Sequence, residues 1–188
     1  MAEAGAPGAS VLAVPAAATV GTPPAAPWLE APAQALAGVI LRSHQRGFGR
    51  PLLTPAIQAA AGPGAGESLA LAAQELFAAA TVVLAHDGGA DPRLIYANRA
   101  ALRLWRRPWA AMVGLPSRLT AEPAERAGRA QMLSEAQRQH ALSGYTGIRI
   151  DSHGRRFQIR GARLWTLWNA AGEPCGQAAS FSDWHWLA

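Results

Sequence analysis

The spacing of apolar residues changes along the chain from a helical period to strict alternation. Leu36, Val39 and Ile40 recur at helical spacing, and Gly47 is a suitable residue to end that helix. A second helical face begins behind Ser68 and leads into a predicted strand over residues 81–85. The turn DGGADP then connects this strand to a second one, RLIYA. The first part of the chain is therefore predicted to be helical and to end in a strand pair.

Three more helices are predicted before the pattern becomes extended. Asn98 is placed to cap the helix NRAALRLWRR, and Pro108 begins a short helix, PWAAMVG. The longest helix is predicted over residues 120–143, with Gly144 at its end. In the cluster LRLWRRPW, apolar residues at helical spacing turn inward and arginines cover the outside; the alternative is a patch for an acidic partner or nucleic acid.

The last third of the chain alternates like β-structure. Three strands are predicted, over residues 145–150, 156–168 and 177–184, and the short turns DSHG and NAAGE between them require antiparallel pairing. The order of elements indicates an α+β fold, in which helices pack on one face of a five-stranded antiparallel sheet.

The strand over residues 156–168 decides between two functions for this sheet. Alternation places Phe157, Ile159, Gly161, Arg163, Trp165 and Leu167 on one face, and most arginines on the other. A nucleic-acid-binding sheet needs aromatic residues and arginines together on an exposed face, so we interpret the aromatic face as core. Gly161 indicates a bulge that re-aims Arg163. Leu164 and Trp168 make the second face more apolar than a solvated surface needs, which favours a homodimer contact there.

The composition predicts how the chain divides into segments, but it says little about binding partners. Residues 1–27 are rich in Ala and Pro and are predicted to be a disordered leader; residues 28–66 hold an N-terminal helix and loop, and residues 67–188 the α+β domain. The net charge is +5, and all 17 basic residues are arginine, a composition that a GC-rich genome produces without selection for DNA binding. Nucleic acid therefore stays an alternative partner.

The single cysteine, Cys175, excludes an internal disulfide framework. The first basic residue is Arg42, so the start lacks the positive region of a secretory signal, and no apolar run is long enough to span a membrane. We therefore expect a soluble, cytoplasmic protein.

Candidate chemical groups are few. The five histidines form no metal-binding spacing. His140 is the one candidate for a haem ligand, and a partly buried, hydrogen-bonded histidine is the favoured interpretation of this residue. Asp151, Glu173 and Asp183 fall at strand ends or turns, where solvated carboxylates are common, so an enzyme is not expected.

Four segments resemble the MEKHLA domain family. They are LIYANRAALRLW, VGLPSRLTAEPAERAGRAQML, YTGIRIDSHGRRFQIRGARLWTLW and GQAASFSDW. The resemblance covers residues 39–187 and implies a PAS-like fold, as in the stand-alone bacterial members, with a sensory or interaction role and an output through a separate protein. Flavin-thiol PAS photosensors carry their cysteine in a helical NCRFLQ-type motif, whereas Cys175 lies in a predicted turn; the cofactor stays unknown.

A PAS-like fold would hold a small ligand between its sheet and helices. The predicted ligand pocket contains Trp105, Arg118, Met132, His140, Tyr145, Phe157, Trp165 and Phe181. Arg118 or His140 is expected to supply the polar contact.

Overall fold

A computed structural model describes residues 26–61, 67–125, 128 and 138–188 of the chain. The α-helices are α1 (Ala31–Phe48), α2 (Pro55–Ala60), α3 (Glu67–Ala78), α4 (Arg99–Trp105) and α5 (Trp109–Met112). The strands are β1 (Val82–Asp87), β2 (Leu94–Ala97), β3 (Ala141–Ile150), β4 (Arg156–Trp168), β5 (Pro174–Phe181) and β6 (Asp183–Trp186). Short 3-10 turns occupy Pro27–Leu29, Ser117–Thr120 and Pro123–Glu125.

All described strand pairs are antiparallel, in the order β2-β1-β5-β4-β3, which confirms the predicted α+β sheet. The predicted last strand divides into two at Ser182. β5 pairs with β1 and with the second half of β4, whereas β6 pairs with the first half of β4, from Phe157↔Trp186 to Arg160↔Asp183. The sheet therefore has six strands in place of the expected five.

The sheet carries a separate hydrophobic core on each face. On the inner face, Leu104, Trp105 and Met112 of α4 and α5 pack against side chains of the strands. On the outer face, α1 and α3 form a second core with alternate residues of the same strands. Helices thus cover both faces of the sheet, because the N-terminal helices pack on the face that was predicted to be exposed to solvent.

A bulge at Gly161 changes the phase of β4. Opposite β3, Tyr145 pairs with Ala162 but Gly147 pairs with Ile159, so β4 has one extra residue between these positions. Gly161 adopts φ 61°, a left-handed conformation that favours glycine. Beyond the bulge, Ala162 and Leu164 belong to the inner core and Trp165 to the outer one. The bulge predicted from Gly161 is present, but the residues of β4 that follow Gly161 lie on the opposite faces of the sheet from those predicted.

Asn98 connects α3, β1 and α4 through one buried amide. Its Oδ1 accepts hydrogen bonds from the backbone N–H groups of Ala101 (3.1 Å) and Val83 (3.0 Å). Its Nδ2 donates to the carbonyl of Thr81 at 2.7 Å and, at longer range, to those of Leu76 and Ala79. The predicted N-cap is therefore confirmed, and it also fixes the entry to β1.

The predicted helix over residues 120–143 is wrong at its end. β3 begins at Ala141, and His140 before it has φ 63°, which breaks a helix. Much of the predicted helix, residues 126–127 and 129–137, lies outside the described residues, as do residues 1–25 of the predicted leader. The division into leader, N-terminal segment and domain stays a prediction.

Among the described helices, none combines the length and the apolar character that a bilayer crossing needs.

Candidate functional site

The inner face of the sheet holds a small, mainly apolar cavity. Its volume is about 50 Å³. Mainly apolar side chains of five strands, β1 to β5, form most of its wall, with Trp105 of α4 and Thr120 beside them. The described residues around it are Leu84, Ala85, His86, Leu94, Trp105, Thr120, Tyr145, Arg149, Ile159, Ala162, Leu164, Gln177, Ala178, Ala179 and Phe181. The cavity is therefore bounded mainly by the sheet.

Arg149 is a buried cation in the wall of this cavity. Only 6% of the residue is exposed. Its Nη2 donates to the Tyr145 hydroxyl at 2.6 Å, and its Nη1 donates to the Ile148 carbonyl at 2.7 Å. Both acceptors are neutral, and none of the ion pairs among the described residues includes Arg149. A buried guanidinium without a carboxylate is costly, because neutral oxygens replace only part of its hydration.

Tyr145 and Trp105 add further hydrogen-bond donors to the same wall. The Tyr145 oxygen accepts from Arg149, which leaves its own hydrogen for another acceptor. Trp105 is 1% exposed, and its indole N–H donates to no group in the described part of the chain. Gly147 makes room for this arrangement, because a Cβ there would clash with the Tyr145 hydroxyl. Arg149, Tyr145 and Trp105 thus bring one cation and two neutral donors to the wall, beside the polar side chains of His86, Thr120 and Gln177.

The predicted pocket residues separate into three groups. Trp105, Tyr145 and Phe181 line the cavity, and Phe157 packs edge-on against Trp105 with a centroid distance of 5.1 Å. Met132 lies outside the described residues. Arg118, His140 and Trp165 do not line the cavity.

Neither of the two predicted polar contacts reaches the cavity. Arg118 follows Pro116 in a surface 3-10 turn and forms an exposed ion pair with Asp91, with an Nε–Oδ1 distance of 3.0 Å. His140 is exposed and its ring contacts Trp168, at a centroid distance of 5.0 Å. The assignment of His140 failed because the strand begins where a helix was predicted, so its side chain leaves the inner face.

Because of the bulge at Gly161, Trp165 and Leu164 lie on the opposite faces of the sheet from those predicted. Trp165 is fully buried on the outer face, where its ring contacts His44 of α1. Leu164, predicted at a dimer surface, is 4% exposed and lines the cavity. Trp168 is half-buried, and the Arg46 guanidinium of α1 lies 3.9 Å from its ring centroid. Leu164 and Trp168 therefore do not form one exposed face of the sheet.

Arg149 is the site residue that the sequence analysis missed. It follows Tyr145 by four residues on a strand, so alternation places both on one face. Since Tyr145 was predicted to face the core, the same reasoning would have placed Arg149 there.

Two other potentially reactive side chains, those of Asp151 and Cys175, lie outside the cavity. Oδ1 of buried Asp151 accepts from the backbone N–H groups of His153 (2.8 Å) and Arg155 (2.9 Å). Burial alone would raise the pKa of Asp151, but these hydrogen bonds and the Arg155 guanidinium together hold it below its usual value. Cys175 is the second residue of β5, and partial burial raises the pKa of its thiol. No group of three or more potential ligands that could hold a metal occurs among the described residues.

Comparison with known proteins places this geometry in a family. The model of the MEKHLA domain matches residues 34–186. No curated protein matches the chain. The PAS domain of a protein from Colwellia psychrerythraea is similar in structure, with a TM-score of 0.54, 13% identity, and coverage of 60% of this chain and 92% of that one.

A second similar structure is that of an RNA-binding light-oxygen-voltage receptor. Its TM-score is 0.54 at 20% identity, over 70% of this chain and 35% of the receptor. At these identities the similarity concerns the fold, and this chain spans about a third of the receptor.

Proposed function

Because the chain belongs to the MEKHLA domain family, whose PAS-like fold is that of sensory domains, we propose that it is a non-catalytic module that binds a small carboxylate. The ligand occupies the cavity on the inner face of the sheet, and its binding alters the contact with a separate output protein. The observation that carries this proposal is Arg149, a buried cation in the wall of the cavity whose hydrogen-bond partners among the described residues are all neutral.

The charge of the site supports an anion. A ligand carboxylate would supply the counter-charge that Arg149 does not find among the described residues, and charge-assisted hydrogen bonds are the strongest kind. Tyr145 and the indole N–H of Trp105 have donors for the same group. The apolar wall, formed by side chains such as Leu84 and Ile159, suits the hydrocarbon end of the ligand.

The size of the cavity limits the ligand. One water needs roughly 10–15 Å³, so a cavity of about 50 Å³ suits a ligand of about three to five heavy atoms. Acetate and propionate fall in this range. Pockets for drug-sized ligands are much larger, at roughly 300–1,000 Å³.

A non-catalytic role is supported by the positions of the carboxylates. Asp151 is engaged by Arg155 and by backbone N–H groups, and Glu173 accepts from Asn169 at 3.1 Å. Asp183 is exposed on β6. None of the three lines the cavity, so no acid and base from this set meet at a common point.

Thermal unfolding in the presence of simple carboxylates tests the proposal. Acetate or propionate should raise Tm, relative to sodium chloride at equal ionic strength, whereas neutral acetamide should not. At about one hundred times Kd, binding adds about 2.7 kcal/mol to the free energy of unfolding. For a chain of this size, that corresponds to a shift of roughly 5–10 °C.

Variants identify the binding group. Arg149→Met should abolish the shift, and Tyr145→Phe should weaken binding about tenfold, the value of one charge-assisted hydrogen bond. Arg118→Met is the control and should leave the shift unchanged, because Arg118 lies outside the cavity. An equal shift with acetamide, or an undiminished shift in Arg149→Met, would overturn the proposal.

Homodimer formation and a cytoplasmic location stay predictions. Native mass spectrometry of the intact chain measures the oligomeric state, and a dimer would require a surface other than the buried side chain of Leu164.

A further inference from the structure

A groove runs between α4 and β6, apart from the cavity on the inner face. Its volume is about 680 Å³. Arg99 and Arg103 of α4 and Arg106, the residue that follows α4, line it, as do Arg155 and the two tryptophans of β6, Trp184 and Trp186. The apolar side chains of Val82 and Leu104 also contribute to its lining.

The groove lies where a strand is missing from the sheet. β6 continues β5 beyond Ser182 and pairs with β4, but no described strand pairs with its other edge. The neighbour of β5 on that side is β1, which starts only at Val82, opposite Phe181. The preceding residues 78–80 line the groove and do not pair with β6. The edge of β6 therefore presents backbone groups that a further strand could bind.

The groove is strongly cationic. Arg106 and Arg155 both lie within ion-pair distance of Asp151, at 3.6 Å and 3.3 Å. In the described part of the chain, Arg99 and Arg103 form no ion pair with a carboxylate. Of the four guanidinium groups that line the groove, two thus share one carboxylate and two pair with none among the described residues, so a partner with negative side chains is favoured.

The two tryptophans do not provide a stacking surface for nucleic-acid bases. The Arg155 guanidinium covers one face of Trp186, at 3.9 Å from the ring centroid. The rings of Trp184 and Trp186 contact each other at 83°, so they are not parallel platforms. A free strand edge, by contrast, is recognised by the backbone of an extended peptide.

We propose that this groove binds an acidic, extended segment of a partner protein, which pairs with β6 as an additional strand. Main-chain hydrogen bonds to β6 provide the register, and the arginines of α4 select acidic side chains. This site is distinct from the carboxylate cavity, and either can fail without the other.

A peptide with alternating residues tests both parts of the inference. The probe is a fluorescein-labelled heptapeptide of alternating valine and glutamate, measured by fluorescence anisotropy against the same peptide with lysine in place of glutamate. The glutamate peptide should bind and the lysine peptide should not. Arg103→Glu should weaken binding about tenfold or more. Arg50→Glu, the same charge change at an exposed arginine outside the groove, should change it less than about twofold.

N-methylation separates strand pairing from simple charge attraction. In a paired strand, alternate backbone N–H groups face the neighbouring strand. One peptide is methylated at the valine nitrogens and another at the glutamate nitrogens; one of the two should lose binding and the other should retain it. Equal binding of the lysine peptide, retention by both methylated peptides, or tighter binding of single-stranded RNA of equal charge would overturn the inference.

Discussion

Acidification should weaken the chain through His44, a fully buried histidine of α1. One ring nitrogen, Nδ1, lies 3.1 Å from the carbonyl of Arg50, and the ring contacts Trp165 edge-on at 4.9 Å. Burial lowers the pKa of His44 to about 4; the Arg50 carbonyl opposes this shift, and the charges of Arg163 and Arg50 add to it. The folded protein therefore keeps His44 neutral at pH values where an exposed histidine is charged.

The size and sign of the effect follow from proton linkage. The ordinary pKa is 6.5, so between pH 6.5 and about 4 the unfolded chain binds a proton that the folded chain does not. Stability is thus unaffected above pH 6.5 and is lost as the pH falls toward 4. At 1.36 kcal/mol per pKa unit, the full loss is about 3 kcal/mol, and about 2.5 kcal/mol of it is reached by pH 4.5.

Urea unfolding of the wild type and His44→Gln at pH 7.0, 5.5 and 4.5 measures this contribution. All other titrating groups are common to both proteins, so the difference between their free energies of unfolding isolates His44. That difference should move in favour of the variant by about 2.5 kcal/mol between pH 7.0 and 4.5. The exposed His153→Gln is the control and should follow the wild type. Parallel loss of stability in the wild type and His44→Gln would refute the reasoning.

Three further substitutions test the framework around the site, each by urea unfolding. Asn98→Ala should cost at least about 3 kcal/mol, because backbone groups of β1, of α4 and of Thr81 lose their hydrogen-bond partner; a cost under about 1 kcal/mol would contradict its role. Asp151→Asn should cost about 2 kcal/mol at pH 7. Because the pKa of Asp151 is lowered in the folded protein, the difference in free energy of unfolding between the wild type and Asp151→Asn should reach its full value above about pH 4 and decrease at lower pH. A difference that does not depend on pH would contradict the charge argument. Gly161→Ala should cost about 1–2 kcal/mol through its backbone conformation alone, since a Cβ there meets no neighbouring atom; an unchanged stability would count against the strain.

The order of elements was predictable because each has a strong local signal. The limits of β4, residues 156–168, match the prediction, and Asn98 caps α4 as expected. The division of the last strand was not predictable, since residues 177–186 alternate without a strong break and Ser182 is an ordinary strand residue. Its cause is tertiary, because β5 and β6 face different halves of β4 across the Gly161 bulge.

Cavity-lining residues were predictable on α4 and where the alternation of the strands is regular. Trp105, Tyr145 and Phe181 line the cavity, whereas Trp165 and Leu164 lie on exchanged faces because one extra residue reverses every later position of β4. Arg149 was overlooked because an arginine in a strand is ordinarily solvated. The coverage of the outer face by α1 is a long-range contact that no local period reveals.

The alternation of β4 has a consequence for regulation. Leu164 lines the cavity and the next residue, Trp165, packs against α1, so a single peptide bond separates the two environments. Any coupling free energy between them is reciprocal: if a ligand loosens α1 by some factor, docking of α1 weakens the ligand by the same factor. Protonation of His44 and binding of a carboxylate at Arg149 would then shift the same equilibrium. The pH would change the affinity for the carboxylate, and the carboxylate would change the pH at which His44 is protonated.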